Sequence, residues 1–333
     1  MPASSKIALI GGLVANLAIA ATKFVVGGLT HSSVMIAEGI HSLVDTGNSG
    51  LMMFGRRRSR RGPDAEHPFG YGMELYFWSF VVAIIVFGGG GGLSIYEGLH
   101  AFAEPHAISA VWSNYLTIAI AAVFEGASLV IGMREFTKYR RERRYPGSVL
   151  AAIRASKNPA MFLTVLEDTA ALVGLAIAGA GIALRVWTGW APLDGIASIL
   201  IGLVQMIEAL VLAIECRGLI IGEPARPVVI EQIERALAHY LRASRPGRRA
   251  AGTGATGAGA AGTDIDVDEI RTLQFGPESI LVFLDVRIHS VREAVQLPAL
   301  IAHLIAELRA AIPAIQDVFV TLPRDEREQL VQD

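Results

Sequence analysis

The chain has 333 residues, of which 52% are hydrophobic and only 18% are charged, and its formal net charge is -2. Soluble domains carry about 25% charged residues, so this composition excludes a disordered chain and argues against an ordinary soluble enzyme. The single cysteine, Cys216, excludes a disulfide framework and a cysteine-rich zinc finger. The 35 glycines in so apolar a chain indicate closely packed transmembrane helices.

Six apolar stretches are long enough to cross a bilayer, which takes about 20 residues in a helix. They lie at 7–29, 33–54, 76–101, 113–133, 160–186 and 193–221. The first stretch is too long for a signal peptide, lacks a small-residue cleavage site and is followed by further spans. The sequence therefore predicts an α-helical membrane protein with a transmembrane domain of six helices over residues 1–222.

The remaining residues, 223–333, have the pattern of a small α+β domain. Hydrophobic periodicity predicts a helix, two strands, a second helix and a third strand, an order written αββαβ. These elements are expected at 227–242, 269–275, 279–288, 292–311 and 317–321. Between the first helix and the first strand, the segment 247–262 is rich in Gly, Ala and Thr, which is typical of a flexible insertion.

The loops between the predicted spans differ in charge. Arg and Lys are frequent at 56–61 and at 134–157, whereas the loops near 103–112 and 187–192 contain neither. The positive-inside rule then places the basic loops, both termini and the α+β domain in the cytoplasm. The flanking spans account for the arginine runs, so no nucleic acid is expected as a partner. The expected location is the inner membrane of a bacterium.

The second predicted span carries His41 and Asp45, which are one helical turn apart and therefore lie on one face of the helix. A carboxylate at the centre of a bilayer costs about 2.5–3.5 kcal/mol, so it should face a cavity, a partner or an ion. Imidazole and carboxylate together suit a borderline dication such as Zn²⁺. The alternative is a polar pair that joins two helices.

The fifth predicted span carries Thr164, Glu167 and Asp168. Carboxylates at similar depth on two separate helices repel each other in a medium of low dielectric. A shared dication removes that penalty. The second and fifth spans together therefore favour a metal site over simple helix packing.

Other polar residues in the spans have weaker signals. Glu97 and Glu208 are isolated acids, which we interpret as hydrogen-bonding groups in helix packing, and Asn48 lies further along the second span. Asp194 is near the outer end of the sixth span, where we expect it to face water. The glycine run 88–92 predicts close helix packing in the third span, with a hinge as the alternative.

Two motifs in this order resemble the cation diffusion facilitator family. They are HSLVD at 41–45 and, after the arginine-rich loop, HPFGYG at 67–72, set within six spans that precede an αββαβ tail. The resemblance covers nearly the whole chain except for 247–262. It implies a homodimer, joined through a cytoplasmic metallochaperone-like domain, that exports a divalent transition metal in exchange for protons.

The family's transport site uses two residues four apart on the second span and two more four apart on the fifth. By resemblance, His41, Asp45 and Asp168 occupy ligand positions, and Thr164 occupies the fourth. Threonine departs from the usual His or Asp, so the fourth ligand is open between Glu167 and water. The expected cargo is Zn²⁺, with Mn²⁺, Fe²⁺, Co²⁺ or Cd²⁺ as alternatives, and no organic cofactor is expected.

Some members of the family bind a second metal in the loop between the second and third spans. Asp64, His67 and Tyr71 fall on those positions in this sequence. Tyrosine is a poor metal ligand. The two alternatives for this loop are therefore a weak metal site that uses Asp64, Glu66 and His67, and a turn with a purely structural role.

The expected mechanism is alternating access, in which bound metal and protons exchange at ligands that must be deprotonated to hold the metal. Three alternatives remain open. A carrier of a harder ion such as Mn²⁺ or Mg²⁺ would suit the oxygen ligands of Asp45, Glu167 and Asp168. An intramembrane metalloenzyme would need a motif such as HExxH, which is lacking, so no enzyme is expected. The third is a metal-sensing membrane scaffold.

Overall fold

The computed structural model describes residues 3–105, 110–142, 152, 156–244, 265–288 and 291–321. The chain divides into two compact units, Met1–Ile220 and Ile221–Asp333. The predicted insertion at 247–262 lies outside the described residues, as do parts of the loop that joins the fourth and fifth spans.

The first unit is built from long helices that coincide with the predicted spans. They are α1 (Ala3–Thr30), α2 (Ser33–Arg58), α3 (Glu74–Ile85), α4 (Leu93–Ala103), α5 (Val111–Glu142), α6 (Pro159–Thr188) and α7 (Leu193–Ile221). A π-helix, Val86–Gly92, joins α3 to α4 without interruption, so these three elements form the third span. Five consecutive glycines weaken the ordinary α-helical geometry at this point.

Helices α2 and α5 extend further than the apolar pattern predicts. The apolar stretches end at 54 and 133, whereas the helices end at Arg58 and Glu142. The last turn of each helix is basic, with Arg56, Arg57 and Arg58 in α2 and Arg140 and Arg141 in α5. Cations stabilise the negative end of a helix dipole, so helix continues into the loop after the hydrophobic pattern stops.

Within the described residues, four helical segments are long and apolar enough to cross a membrane. They are Glu74–Ala103, Val111–Lys138, Phe162–Thr188 and Leu193–Ile221. The described part of α1 contains the apolar segment Asn16–Thr30, and α2 is less apolar because it carries Glu38, Asp45 and its terminal arginines. The helical membrane-type fold is confirmed, and composition alone supports four of the six predicted spans.

The surface of the first unit is apolar where the helices face outward. Val123 and Ile131 of α5 and Ile207 and Ile214 of α7 are between 62% and 71% exposed. Polar side chains lie inside instead, and the buried set includes Lys23, Glu38, His41, Asn48, Asp168, Gln205 and Glu208. An apolar exterior around polar groups matches a lipid environment, in which charged side chains face the interior of a helix bundle.

Glycines bring the third span into direct contact with α7. A methyl group at Gly98 would lie 2.7 Å from the carbonyl oxygen of Gly195, and one at Gly91 would lie 2.8 Å from that of Gly202. A side chain at Gly91 or Gly98 would collide with the backbone of α7. Close helix packing, as predicted for the glycine run 88–92, is therefore found at Gly91. Gly88 has open space around it, and a side chain there would meet nothing within 4 Å.

The second unit has the predicted αββαβ order in its described residues. It comprises α8 (Pro227–Ser244), β1 (Ile265–Gly276), β2 (Ser279–Ile288), α9 (Val291–Ala311) and β3 (Ile315–Thr321). The sheet order is β1-β2-β3; β1 is antiparallel to β2, and β2 is parallel to β3. A parallel pair requires a crossover connection, which α9 provides.

The core of the second unit joins both helices to one face of the sheet. Ile233 and Leu237 of α8 pack with Leu308 of α9 and with Val282 and Leu284 of β2. Strand β1 begins four residues before its predicted start, at Ile265. Asp266 and Asp268 have low strand propensity and hide the strand in the sequence, but Arg287 of β2 binds Asp268 at 2.8 Å across the ladder.

Candidate metal site in the transmembrane unit

Helix α2 presents His41 and Asp45 on one face, as their spacing predicts. His41 is 2% exposed, and its Nε2 atom lies 3.5 Å from Oδ2 of Asp45. Neither ring nitrogen of His41 has a hydrogen-bond partner among the described residues, and Oδ1 of Asp45 has none either. These buried atoms are therefore available to a cation that enters the site.

The same face of α2 binds a lysine of α1. Nζ of Lys23 lies 2.9 Å from Oε2 of Glu38 and 2.8 Å from Oγ of Ser42, and both charged side chains are fully buried. Oε1 of Glu38 sits against Gly174 of α6, where a methyl group would lie 2.5 Å away. Lys23 was not among the residues predicted from the sequence, although a lysine inside an apolar span indicates an acid partner on a neighbouring span.

The two adjacent acids of α6 face different helices. Oε1 of Glu167 accepts a 3.0 Å hydrogen bond from Nδ2 of Asn48 on α2. Asp168 instead forms a hydrogen bond with Ser128 on α5, and its buried Oδ2 atom has no partner within the part of the chain that the structure describes. Glu167 is therefore the acid of the fifth span that directly contacts the helix of His41 and Asp45.

Thr164 lies apart from these buried groups. It is exposed on α6, and its Cγ2 atom is 3.8 Å from the position that a Cβ atom would occupy at Gly132 of α5. One turn separates it from Asp168, which also faces α5. The structure thus does not bring Thr164 to the buried polar atoms of α2.

Carboxylates from several helices interact electrostatically with Asp45 and with one another. We call this set the acid cluster, and it comprises Asp45 of α2, Glu125 of α5, Glu167 and Asp168 of α6, and Glu208 of α7. Asp45 interacts with Glu167 and Glu125, and Glu208 interacts with Asp45 and Asp168. No three His, Cys, Asp or Glu side chains of the described ranges already surround one metal-sized position. Binding a cation would have to draw these acids together.

The helix-packing hydrogen bonds expected of Glu208 are not found among the described residues. Both carboxylate oxygens are buried, and neither has a partner in the described ranges. Glu97 lines a different cavity of about 220 Å³ with His31, His100 and Arg185.

Asp194 is buried rather than exposed to water, so its expected position is wrong. Its Oδ2 atom accepts hydrogen bonds from the backbone N–H of Ser33 at 2.6 Å and from the hydroxyl of Ser33 at 2.7 Å. Its Oδ1 atom accepts a third from Ser32 at 3.1 Å, and Arg185 lies 3.9 Å away. This acid of α7 thereby caps the N-terminus of α2.

The loop between the second and third spans is held by Asp64. Its Oδ2 atom accepts a 2.7 Å hydrogen bond from the hydroxyl of Tyr71, and its Oδ1 atom accepts bonds from the N–H groups of Glu66 and His67 at 3.0 and 2.7 Å. The Tyr71 bond lowers the pKa of Asp64, and Asp64 in turn raises the pKa of Tyr71. Because both oxygens of Asp64 are already engaged, the arrangement favours a structural turn over a second metal site.

Comparisons with known proteins agree with a transport function for the first unit. Residues 9–221 match the family model described as the cation efflux transmembrane domain. The human mitochondrial proton-coupled zinc antiporter SLC30A9 is 34% identical over 215 residues, which are 64% of this chain and 37% of that protein.

Two further relatives extend the similarity to a plant and a bacterium. Metal tolerance protein C4 of Arabidopsis thaliana is 31% identical over 207 residues, 62% of this chain and 45% of that protein. Zinc transporter ZitB of Yersinia pestis is 28% identical over 192 residues, 56% of this chain and 54% of that protein. The matched part of the chain spans less than half of the human and plant relatives and about half of the bacterial one.

Proposed function

This chain belongs to the cation efflux family, and from that premise we propose that it exports divalent metal, with zinc as the cargo, in exchange for protons. The family match agrees with the resemblance drawn from the HSLVD and HPFGYG motifs. One observation carries the proposal: His41 and Asp45 lie together on the inner face of α2 with unpartnered polar atoms, and Asn48 of the same helix contacts Glu167 of α6. The names of the zinc antiporter and zinc transporter relatives support zinc and the proton counter-ion.

The proposed ligands come from α2 and α6. His41 and Asp45 supply a nitrogen and an oxygen from one helix, and Asp168 supplies an oxygen from the other. Glu167 is the proposed fourth ligand, because its side chain reaches α2 while Thr164 is exposed against α5. A shell of one imidazole and three carboxylates is within the range that Zn²⁺ accepts.

Proton exchange follows from the chemistry of these ligands. Imidazole must be neutral and the carboxylates ionised to hold a metal, so binding on the cytoplasmic side releases protons. Protonation from the opposite side then weakens the site and releases the metal, which couples export to inward proton flow. Alternating access of the helix bundle around a central site supplies the movement.

The proposed arrangement of the chain follows the same family. Residues 1–222 form the transport domain, and residues 223–333 form a cytoplasmic domain through which two copies associate. Both termini lie in the cytoplasm, and the membrane is the inner membrane of a bacterium. The basic last turns of α2 and α5 support this orientation through the positive-inside rule.

A carrier of Mn²⁺ or Fe²⁺ is the second candidate, and the acid cluster favours it. Five carboxylates and one imidazole interact in this region of the first unit. Hard oxygen ligands suit Mn²⁺ better than they suit Zn²⁺. The imidazole of His41 favours the softer cation, and transport assays must separate the two.

Proteoliposomes that contain the purified full-length chain provide the test. Zn²⁺, Mn²⁺, Co²⁺ and Fe²⁺ are offered separately with and without a pH gradient, and uptake is followed with a metal-sensitive dye inside the vesicles. We expect Zn²⁺ flux that rises with the proton gradient and falls when an ionophore collapses it. Zinc flux that does not depend on the pH gradient would contradict antiport. Faster flux of Mn²⁺ than of Zn²⁺ would favour the carrier of Mn²⁺ or Fe²⁺.

A further inference from the structure

Gln205 and Glu208 form an unpartnered polar pair on α7. They lie one helical turn apart, they are 1% and 6% exposed, and none of their four side-chain oxygen and nitrogen atoms has a hydrogen-bond partner in the described residues. Unsatisfied polar groups are costly inside a membrane. Their presence on the buried face of the last span therefore points to a ligand that the bundle receives.

Gln205 lies near α2, the helix that carries His41 and Asp45. A methyl group at Gly90 of the π-helix would lie 2.5 Å from Oε1 of Gln205 and 3.8 Å from Cγ1 of Val44. Val44 directly precedes Asp45 on α2. Gln205 is therefore close to the backbone of the π-helix, at the level of the residues that carry the proposed site.

Glu208 is linked to the same site by charge. Its carboxylate interacts electrostatically with Asp45 of α2 and with Asp168 of α6, and Glu167 interacts with it in turn. Neighbouring carboxylates repel one another in a medium of low dielectric, and a dication bound among them removes that repulsion. Lys23 is already bound to Glu38 and Ser42 and does not pair with Glu208, so a proton or a bound metal ion has to neutralise this carboxylate.

We propose that Glu208 is an additional ligand of the transported divalent cation and that Gln205 supports it with its amide oxygen. The sixth span then adds an oxygen to the four proposed ligands of α2 and α6. This inference rests on the proposed transport function and extends its site from two helices to three. The added oxygens widen the range of accepted cations toward harder ions such as Mn²⁺.

A ligand and a packing group respond differently to replacement. If Glu208 is a ligand, Glu208→Gln weakens metal binding, and it also removes an unpaired buried carboxylate from the metal-free protein. The metal-free melting temperature then stays the same or rises, while the increase in melting temperature caused by metal becomes smaller. If Glu208 only packs between helices, Glu208→Gln would lower the melting temperature of the metal-free protein and leave its affinity for metal unchanged.

The experiment uses the full-length protein in lipid nanodiscs, with Zn²⁺ and Mn²⁺ chlorides as the probes. Calorimetry gives the affinity for each ion, and thermal unfolding is recorded with and without metal. The variants are Glu208→Gln, Asp168→Asn as the proposed central ligand, and Glu215→Gln as a control for loss of a carboxylate on the same helix. We expect Glu208→Gln to weaken binding about 10- to 100-fold, Asp168→Asn to abolish it and Glu215→Gln to leave it unchanged.

The outcomes separate this inference from the proposed function. If Asp168→Asn binds metal as the unaltered chain does, the proposed transport site itself fails. If Asp168→Asn loses binding while Glu208→Gln keeps the original affinity for both ions, the inference about Glu208 is overturned and the transport site stands. A Glu208→Leu variant that folds and still binds both ions with full affinity would overturn it as well.

Discussion

Two acids of helix α7, Asp194 and Glu208, are almost equally buried and have opposite surroundings. Asp194 accepts three hydrogen bonds from Ser32 and Ser33 and faces Arg185. Both oxygens of Glu208 are without partners in the described residues. Burial of an acid in a transmembrane helix therefore does not reveal its role. The partners do, because an acid with all its bonds made stabilises the fold, and one without them retains its capacity to bind a cation.

The same contrast recurs on α2. Glu38 is neutralised by Lys23 through Oε2, and both charges are fully buried, although Oε1 of Glu38 has no partner among the described residues. Asp45, two turns further along, has a buried oxygen with no partner among the described residues and lies 3.5 Å from an equally unpartnered His41. The part of α2 around Glu38 is bound to α1, whereas the part around Asp45 interacts with other members of the acid cluster. The predictions below test this division, from the largest expected effect to the smallest.

The largest effect is expected from the two acids of the proposed site that each have one buried oxygen without a partner in the described residues, Asp45 and Asp168. Asp45→Ala and Asp168→Ala should each abolish zinc flux into proteoliposomes, because each removes a charged ligand from a site with few ligands. Neither change breaks a network that holds the fold, so both proteins should elute as the folded assembly in size-exclusion chromatography. Near wild-type flux in both variants would contradict the assignment of the site, and Glu215→Ala is the matched control that should transport normally.

The opposite result is expected for the satisfied acid. Asp194→Ala leaves the N–H and hydroxyl groups at the start of α2 without their acceptor, and breaking such a buried charged network costs about 3–5 kcal/mol. Thermal unfolding should show a large loss of stability, with unchanged metal affinity for the protein that remains folded. Ser198→Ala removes a 3.0 Å contact with Ser33 and a 3.0 Å bond to the backbone carbonyl of Asp194 but leaves the carboxylate of Asp194 in place, so it should cost only about 1–2 kcal/mol. Unchanged melting of Asp194→Ala would contradict the structural role.

The fourth ligand gives an intermediate effect. Glu167 contacts α2 and already accepts a hydrogen bond from Asn48, whereas Thr164 is exposed, so Glu167→Gln should weaken metal binding, but less than Asp168→Asn, which is expected to abolish it. Thr164→His should leave the preference for zinc over manganese unchanged in calorimetry. A histidine at Thr164 that tightened zinc relative to manganese would show that this position turns toward the site during transport.

The smallest effect concerns the loop after α2. The hydroxyl of Tyr71 holds the pKa of Asp64 below its ordinary value of 3.8. The stability that this bond contributes is therefore present above pH 3.8 and is lost as the pH falls through the lowered pKa of Asp64. Tyr71→Phe should raise that pKa toward its ordinary value, measured by carbon NMR of labelled aspartate. Zinc flux at neutral pH should not change in Tyr71→Phe. Loss of flux would instead favour a metal site in this loop.

Much of the fold could be predicted because it depends on local pattern. Apolar length identifies the helices, and alternation identifies the strands of the αββαβ tail. The spacing of His41 and Asp45 places them on one helix face in any structure that keeps the helix. The early start of β1 and the basic ends of α2 and α5 were missed, because pairing across the ladder and the helix dipole act beyond the apolar pattern.

The sequence by itself determined which residues share a helix face and at what depth they lie, since both follow from the helical repeat. Only the tertiary structure decided what each face meets. Glu167 and Asp168 are neighbours about 100° apart around the axis, and the rotation of α6 decides that Glu167 faces α2 while Asp168 faces α5. In the same way, the packing of α7 places Asp194 against three donors at the start of α2 and leaves Glu208 with none in the described residues. Helix rotation depends on contacts with other helices, and no periodicity within one helix contains that information.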